Sequence, residues 1–156
     1  VLFWLLVYTF MNLAAFGVVA MIQKNTGAND IEDYSGLAQR SPVLALVFML
    51  ALLSLAGIPP LAGFVGKFYL FYAAMQKGYL WLVIAGALNS TVSLYYYLLI
   101  LKKMYIHDPS KTYEKIHVPF AVLLALIICM AGILYFGIMP AGVVGITIDA
   151  VQNMFM

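Results

Sequence analysis

Apolar positions along this chain fall into long, nearly uninterrupted blocks separated by short polar stretches. Residues 1–22, from Val1 to Ile22, carry no charge and have only Thr9 and Asn12 as polar exceptions. An α-helix needs about 20 apolar residues to cross the ~30 Å hydrocarbon core of a bilayer, so this block predicts one span. The polar stretch QKNTGANDIEDYSGLAQRSP follows at residues 23–42, and within it Ile31, Tyr34, Leu37 and Ala38 recur at near-helical spacing. That pattern predicts a short amphipathic surface helix. Pro42 stands where a first-turn proline starts the next helix. Two later blocks, Tyr79 to Met104 and His117 to Met139, each predict a further span. The closing AGVVGITIDAVQNMFM places Val144, Ile148, Val151 and Phe155 on one helical face and Asp149, Gln152 and Asn153 elsewhere. Residues 140–156 therefore read as an interfacial helix or tail outside a transmembrane bundle over 1–139.

The block over residues 43–76 is different, because as one straight helix it would measure about 50 Å at ~1.5 Å per residue. The run Gly57-Ile58-Pro59-Pro60 must interrupt it, since two prolines remove two backbone donors and clash with the preceding turn. Gly63 and Gly66 loosen the next turn further. The interruption makes either two short spans joined at the prolines or one span built of two half-helices.

Loop charges separate these alternatives, because Lys and Arg collect in short cytoplasmic loops. With a single crossing at 43–76, Lys24, Arg40, Lys102, Lys103, Lys111 and Lys115 share one side and Lys77 stands alone opposite. With two crossings the bias nearly vanishes. The expected architecture is thus an all-α polytopic bundle of four spans, about 1–22, 43–76 broken at 57–63, 79–104 and 117–139. Its 23–42 and 105–117 loops are cytoplasmic on this reading.

Composition agrees with lipid as the solvent. Hydrophobic residues make up 65% of the 156 positions and charged residues 9%, against roughly 25% charged in soluble domains. The net charge of +2 is small, and the basic residues are scattered between apolar blocks. Nothing here favours nucleic acid as a partner. The single cysteine, Cys129, lies in an apolar run and reads as a buried structural thiol, and one cysteine with two distant histidines gives no metal-ligand spacing. His107 and His117 fall in a polar loop, while Lys102, Lys103 and Tyr105 read as anchors at the cytoplasmic end of their span. The chain enters its first apolar block at Val1 without the basic region and cleavage site of a signal peptide, so it reads as a piece of a longer subunit.

The candidate chemistry lies at Lys67. It is nine residues before Gln76, at the end of its half-helix, which puts it ~14 Å below that surface and near the bilayer midplane. A lysine there costs roughly 2.5 to 3.5 kcal/mol even on the lenient insertion scale, so it should face protein or a water-filled cavity. Its stem reaches roughly 6 Å, too short to snorkel to the interface. Broken backbone at this depth is likewise tolerated only where protein or a cavity covers it. Desolvation disfavours the charged amine, which makes such a lysine a group able to exchange a proton near neutral pH. Asn89, Ser90, Thr91 and Ser93 form a polar cluster near mid-membrane, followed by Tyr95, Tyr96 and Tyr97. Asn89, Ser90, Ser93 and Tyr96 are candidates for ordering a water path, although Ser and Thr serve equally as helix-packing residues.

The segments LSLAGIPPLAGFVGKFYLF at 53–71 and NSTVSLYYYLLILKKMY at 89–105 resemble the C-terminal third of subunit N of proton-pumping NADH:quinone oxidoreductase, respiratory complex I. The likeness extends over essentially the whole chain. It favours subunit N over its sister subunits, whose lysine motif reads like GFFSKDE in one and like GFxGEF in another. Homologues of that subunit include subunit 2 of the mitochondrial enzyme and its chloroplast counterpart. The resemblance implies an antiporter-like fold of inverted helical repeats, each with a broken helix holding a key ionisable residue. Lys67 would be the lysine of the second repeat, and a glutamate and further lysines would lie upstream. It implies a translocase role, with Lys67 relaying protons in a redox-driven pump beside other membrane-arm subunits. NADH, FMN, iron-sulfur clusters and quinone would be bound by those other subunits, with no cofactor or metal in this chain. A bacterial plasma membrane is the expected location, with an organellar inner or thylakoid membrane as alternatives. Competing readings are a subunit of a stand-alone cation/proton antiporter or membrane-bound hydrogenase, and a purely structural membrane subunit.

Overall fold

The computed structural model describes residues 1–27, 30–108 and 116–154, with side chains through Thr147. The described chain is all-helical. In order come α1 (Leu2–Thr26), a 3-10 turn (Ile31–Tyr34), α2 (Leu37–Arg40), α3 (Pro42–Ala56), α4 (Ala62–Gln76), α5 (Leu80–Ile106), α6 (Phe120–Ile138) and α7 (Pro140–Met154). Lys111, Lys115 and Phe155, used in the loop-charge and tail arguments, lie outside the described residues, as do the side chains of Ile148, Asp149, Val151, Gln152 and Asn153. Among the described residues, α1, α5 and α6 are long and apolar enough to cross a membrane, and α3 is a shorter apolar helix. The chain is a multi-pass integral membrane protein.

Helix α1 forms the centre of the bundle. Val7, Met11, Ala14, Val18 and Ile22 recur every three or four residues and are all fully buried, the spacing that puts side chains on one helical face. The helix runs on past the apolar block to Thr26, which carries Lys24 into its last turn, and Gly27 ends it in the left-handed conformation with its N–H on the Gln23 carbonyl. Helix α6 lies antiparallel to α1: Leu126 touches the backbone at Gly17, and Phe10 lies over Gly132.

The 43–76 block is divided into α3 and α4, and both halves share α1, α5 and α6 as neighbours. Their order along α1 is informative. Phe3 of α1 packs edge-on against Tyr69 of α4 at 6.1 Å, and Trp4 lies over Gly66. Met11 meets Ser54 at the end of α3, and Ala15, Phe16 and Val19 face the same cavity as Phe48 and Leu52 of α3. One unbroken helix thus passes first α4, then the interruption, then α3. Helix α5 repeats the order in the same direction, with Gly86 against Phe71 of α4 and Tyr97 lining the same cavity as Phe48 and Leu52 of α3.

The basic residues Lys24, Arg40, Lys102 and Lys103 gather at the end of the bundle where α1 and α5 finish and α3 begins, whereas Lys77 sits in the turn between α4 and α5. Within the 23–42 stretch, residues 31–40 form the 3-10 turn and α2 in place of one surface helix. Gly36 takes a left-handed conformation between them, and Leu37 is fully buried. This segment docks on α5: the Gly36 N–H donates to the Lys103 carbonyl at 3.2 Å, and the Lys103 ammonium pairs with Glu32 at 2.6 Å. The buried Arg40 guanidinium donates to the Asp33 carbonyl at 3.2 Å.

Candidate functional site

The site is built at the joint between α3 and α4. Helix α3 ends because Gly57 adopts φ 90° and ψ 40°, a left-handed geometry that glycine alone adopts without a steric penalty. The last turn of any helix leaves carbonyls without intrahelical donors. Here the Gly57 N–H serves the Leu53 and Ser54 carbonyls, and the Ile58 N–H also reaches Leu53. The Leu55 and Ala56 carbonyls accept instead from Lys67, whose Nζ lies at 3.0 and 3.1 Å. A cation at this position also meets the negative end of the α3 dipole.

The start of α4 is treated in the opposite sense. Its first turn has N–H groups without intrahelical acceptors, and the Gly63 N–H donates to Ser54 Oγ at 3.0 Å. The Ser54 hydroxyl in turn donates to Met11 Sδ at 2.9 Å, and Ser54 is fully buried. A β-carbon on Gly63 would fall on the Ser54 carbonyl oxygen, so only glycine lets the two half-helices approach this closely. Pro60 and Leu61 close the joint on another side, where their backbone lies against Gly137 of α6.

Lys67 is half-buried and lines a cavity of about 550 Å3 together with Asn12, Tyr8, Asn89, Ser93 and Tyr97. The remaining wall is largely apolar, with Trp4, Phe16, Phe48, Leu52 and Leu55 among its residues. Two helices deliver the polar groups that face Lys67 by simple periodicity: Tyr8 and Asn12 are one turn apart on α1, and Asn89, Ser93 and Tyr97 fall every fourth residue on α5. Asn89 also borders a second cavity of about 490 Å3 between α4 and α5, beside Leu70, Phe71 and Gly86. It therefore stands on the boundary between the two spaces.

Of the candidates read from sequence, Lys67, Asn89 and Ser93 come together on this cavity. Tyr96 is set back from the wall but joins it indirectly, its hydroxyl donating to Ser93 Oγ at 3.0 Å. Ser90 is half-buried and does not line the cavity. Gly57 and Gly63 shape the two faces of the joint, and Pro59 and Pro60 lie between the half-helices. Tyr8, Asn12 and Tyr97 also belong to the wall: in the sequence Asn12 stands out only as a polar exception of the first span, Tyr97 only as one of three consecutive tyrosines, and Tyr8 not at all; the spacing of four that links Tyr97 to Asn89 is the signal that points to it. Cys129 is buried on α6. Among the described residues no three His, Cys, Asp or Glu side chains are grouped as metal ligands.

Known proteins resemble this chain in sequence and fold. Residues 1–93 match the family described as NADH:quinone oxidoreductase/Mrp antiporter, TM. The NADH-quinone oxidoreductase subunit N of Trichlorobacter lovleyi is 44% identical over 153 residues, which is 97% of this chain and 31% of that protein. The subunit N of Moorella thermoacetica is 40% identical over 156 residues, all of this chain and 33% of the relative. The chain thus spans about a third of the length of these relatives. A chain of respiratory complex I from Thermus thermophilus superposes with a TM-score of 0.74 at 29% identity, covering 86% of this chain and 32% of that one. A chain of the Mrp complex from Dietzia sp. DQ12-45-1b shares the fold, with a TM-score of 0.76 at 22% identity over 86% of this chain and 33% of that one. With a helix broken beside a lysine, polar groups on the facing helices and these likenesses over most of its length, the chain belongs to the NADH:quinone oxidoreductase/Mrp antiporter transmembrane family.

Proposed function

We propose that this chain is part of a proton-translocating membrane-arm subunit of an NADH:quinone oxidoreductase, and that Lys67 is the group that carries the proton. The observation that supports this most is the placement of Lys67. Its ammonium rests on the carbonyl end of a half-helix while its side chain faces a cavity furnished by Asn12, Asn89, Ser93 and Tyr97. An ionisable group inside a bundle is costly unless it faces polar groups or water, and such groups mark ion and proton pathways. Hydroxyl and amide side chains on the facing helices can order water and pass a proton to or from the amine.

The same helices α1 and α5 each run past both α3 and α4, which supports one membrane crossing made in two pieces. The gathering of Lys24, Arg40, Lys102 and Lys103 at one end supports a cytoplasmic position for that end. Bacterial relatives support a plasma-membrane location. The family embraces oxidoreductase and antiporter subunits alike, and the names of the relatives favour the first. In this reading the subunit works within a larger membrane complex, and electron transfer from NADH to quinone takes place on its other subunits.

The test is Lys67→Met in the full-length subunit within its assembled complex. In sealed vesicles the number of protons moved per NADH oxidised should fall, with the complex still assembled and still oxidising NADH. An unchanged proton-to-NADH ratio would remove Lys67 from the pathway.

A further inference from the structure

In a continuous α-helix the carbonyl of residue i accepts from the N–H of residue i+4. Had α3 continued, Leu55 would have been served by position 59 and Ala56 by position 60. Both positions are proline and have no N–H to give. The Lys67 ammonium donates to these same two carbonyls, at 3.0 and 3.1 Å. The carbonyls just before them, Leu53 and Ser54, are served by the backbone N–H groups of Gly57 and Ile58.

We propose that Pro59 and Pro60 are positioning residues for Lys67: Gly57 ends α3 and bares the Leu55 and Ala56 carbonyls, and by withholding the N–H groups at i+4 the prolines keep this paired acceptor site open, so that the ammonium stands in for both missing donors. Gly57 completes the site from below, because its bare face leaves room for the Lys67 stem; a β-carbon there would lie 3.2 Å from Cδ and 3.4 Å from Nζ. An ammonium has three donors. Two are engaged by the carbonyls, which leaves one for the cavity that Lys67 lines. The prolines thus set where the amine rests, and they do so without touching it through any side-chain polar group.

This concerns the placement of Lys67 and not its proton, so the test is separate from the pumping measurement. It is a double-mutant cycle in the assembled complex, read by hydrogen exchange over residues 53–66. Lys67→Met strips the donor from both carbonyls and should speed exchange there about tenfold, the size expected for leaving buried polar groups unpaired. In the Pro59→Ala/Pro60→Ala background, positions 59 and 60 regain N–H groups, and the same change should speed exchange less than about threefold. Equal acceleration in the two backgrounds, or none in the parent, overturns the proposal. Should the double proline variant fail to assemble, Pro60→Ala restores a donor for Ala56 alone, and acceleration by Lys67→Met should then fall between the two values; acceleration equal to the parent again overturns it.

Discussion

Ser54 and Lys67 cap each other's helix. Ser54, near the end of α3, accepts the Gly63 N–H at the start of α4, and Lys67, on α4, donates to the Leu55 and Ala56 carbonyls at the end of α3. Helix ends buried in a bundle need such partners, because no water is at hand to replace them. The hydroxyl answers the exposed N–H, the ammonium answers the exposed carbonyls, and neither half-helix is completed by its own sequence alone.

Ser54→Ala should therefore destabilise the joint. The Gly63 N–H would lose its acceptor in a fully buried setting, at a cost of about 1–3 kcal/mol. The expected result is a lower denaturation midpoint of the assembled complex, measured by thermal unfolding in detergent. A midpoint equal to the parent's would show that the hydroxyl is dispensable.

Gly57→Ala should act on both backbone and lysine. At φ 90° a β-carbon costs roughly 1–2 kcal/mol, and here it would also press on the Lys67 side chain at 3.2 Å. Gly27 has a similar φ of 67° but open space around it, so Gly27→Ala isolates the backbone contribution. Protons moved per NADH should fall in Gly57→Ala and hold in Gly27→Ala. Equal behaviour of the two variants would dissociate Gly57 from Lys67.

Asn89→Leu exchanges an amide for an apolar side chain on the wall shared by the two cavities. Pumping should drop several-fold while the complex assembles normally, since α5 loses no packing volume. Ser90→Ala, one residue away and off the wall, should pump as the parent does. A normal ratio in Asn89→Leu would place the water path elsewhere.

Tyr34 supplies a pH test at the basic end of the molecule. Burial, and secondarily the nearby Asp33 carboxylate, raise its hydroxyl above the ordinary value, and its ring packs against Phe48 at 5.8 Å. A raised acid binds its proton more tightly in the folded state, so its contribution is whole below an ordinary tyrosine pKa of ~10 and is lost as pH rises beyond it. The loop over 30–40 should exchange hydrogen faster above that pH in the parent. Tyr34→Phe should weaken this dependence, and an unchanged dependence would assign it to other groups.

Much of this architecture was legible in the residues because the rules involved are local. Block length and charge exclusion identify helices in lipid, and Gly57, Pro59 and Pro60 cannot continue a helix whatever surrounds them. The cost of a lysine inside an apolar run is equally local, which is why Lys67 stands out unaided. Other features depend on which surfaces meet. Ser54 sits in an apolar run and looks like a packing residue until Gly63 and Met11 close around it. Tyr95, Tyr96 and Tyr97 cover most of a turn, so which of them faces the cavity is decided by the seating of α5 on α3; it is Tyr97 that lines the wall and Tyr96 that reaches it through Ser93. Asn12 joins the wall because α1 passes the joint at that level. The folding of 31–40 into a 3-10 turn and α2 likewise depends on docking, here through Gly36, Glu32 and Lys103.

The two hydrogen bonds from Lys67 to the end of α3 have a mechanical meaning as well. Any excursion of the amine into the cavity bares Leu55 and Ala56, and any swing of α3 away from α4 pulls their carbonyls off the amine. Where the charge sits and how the two half-helices lie are accordingly a single coordinate, so that a displacement applied at either one is felt at the other.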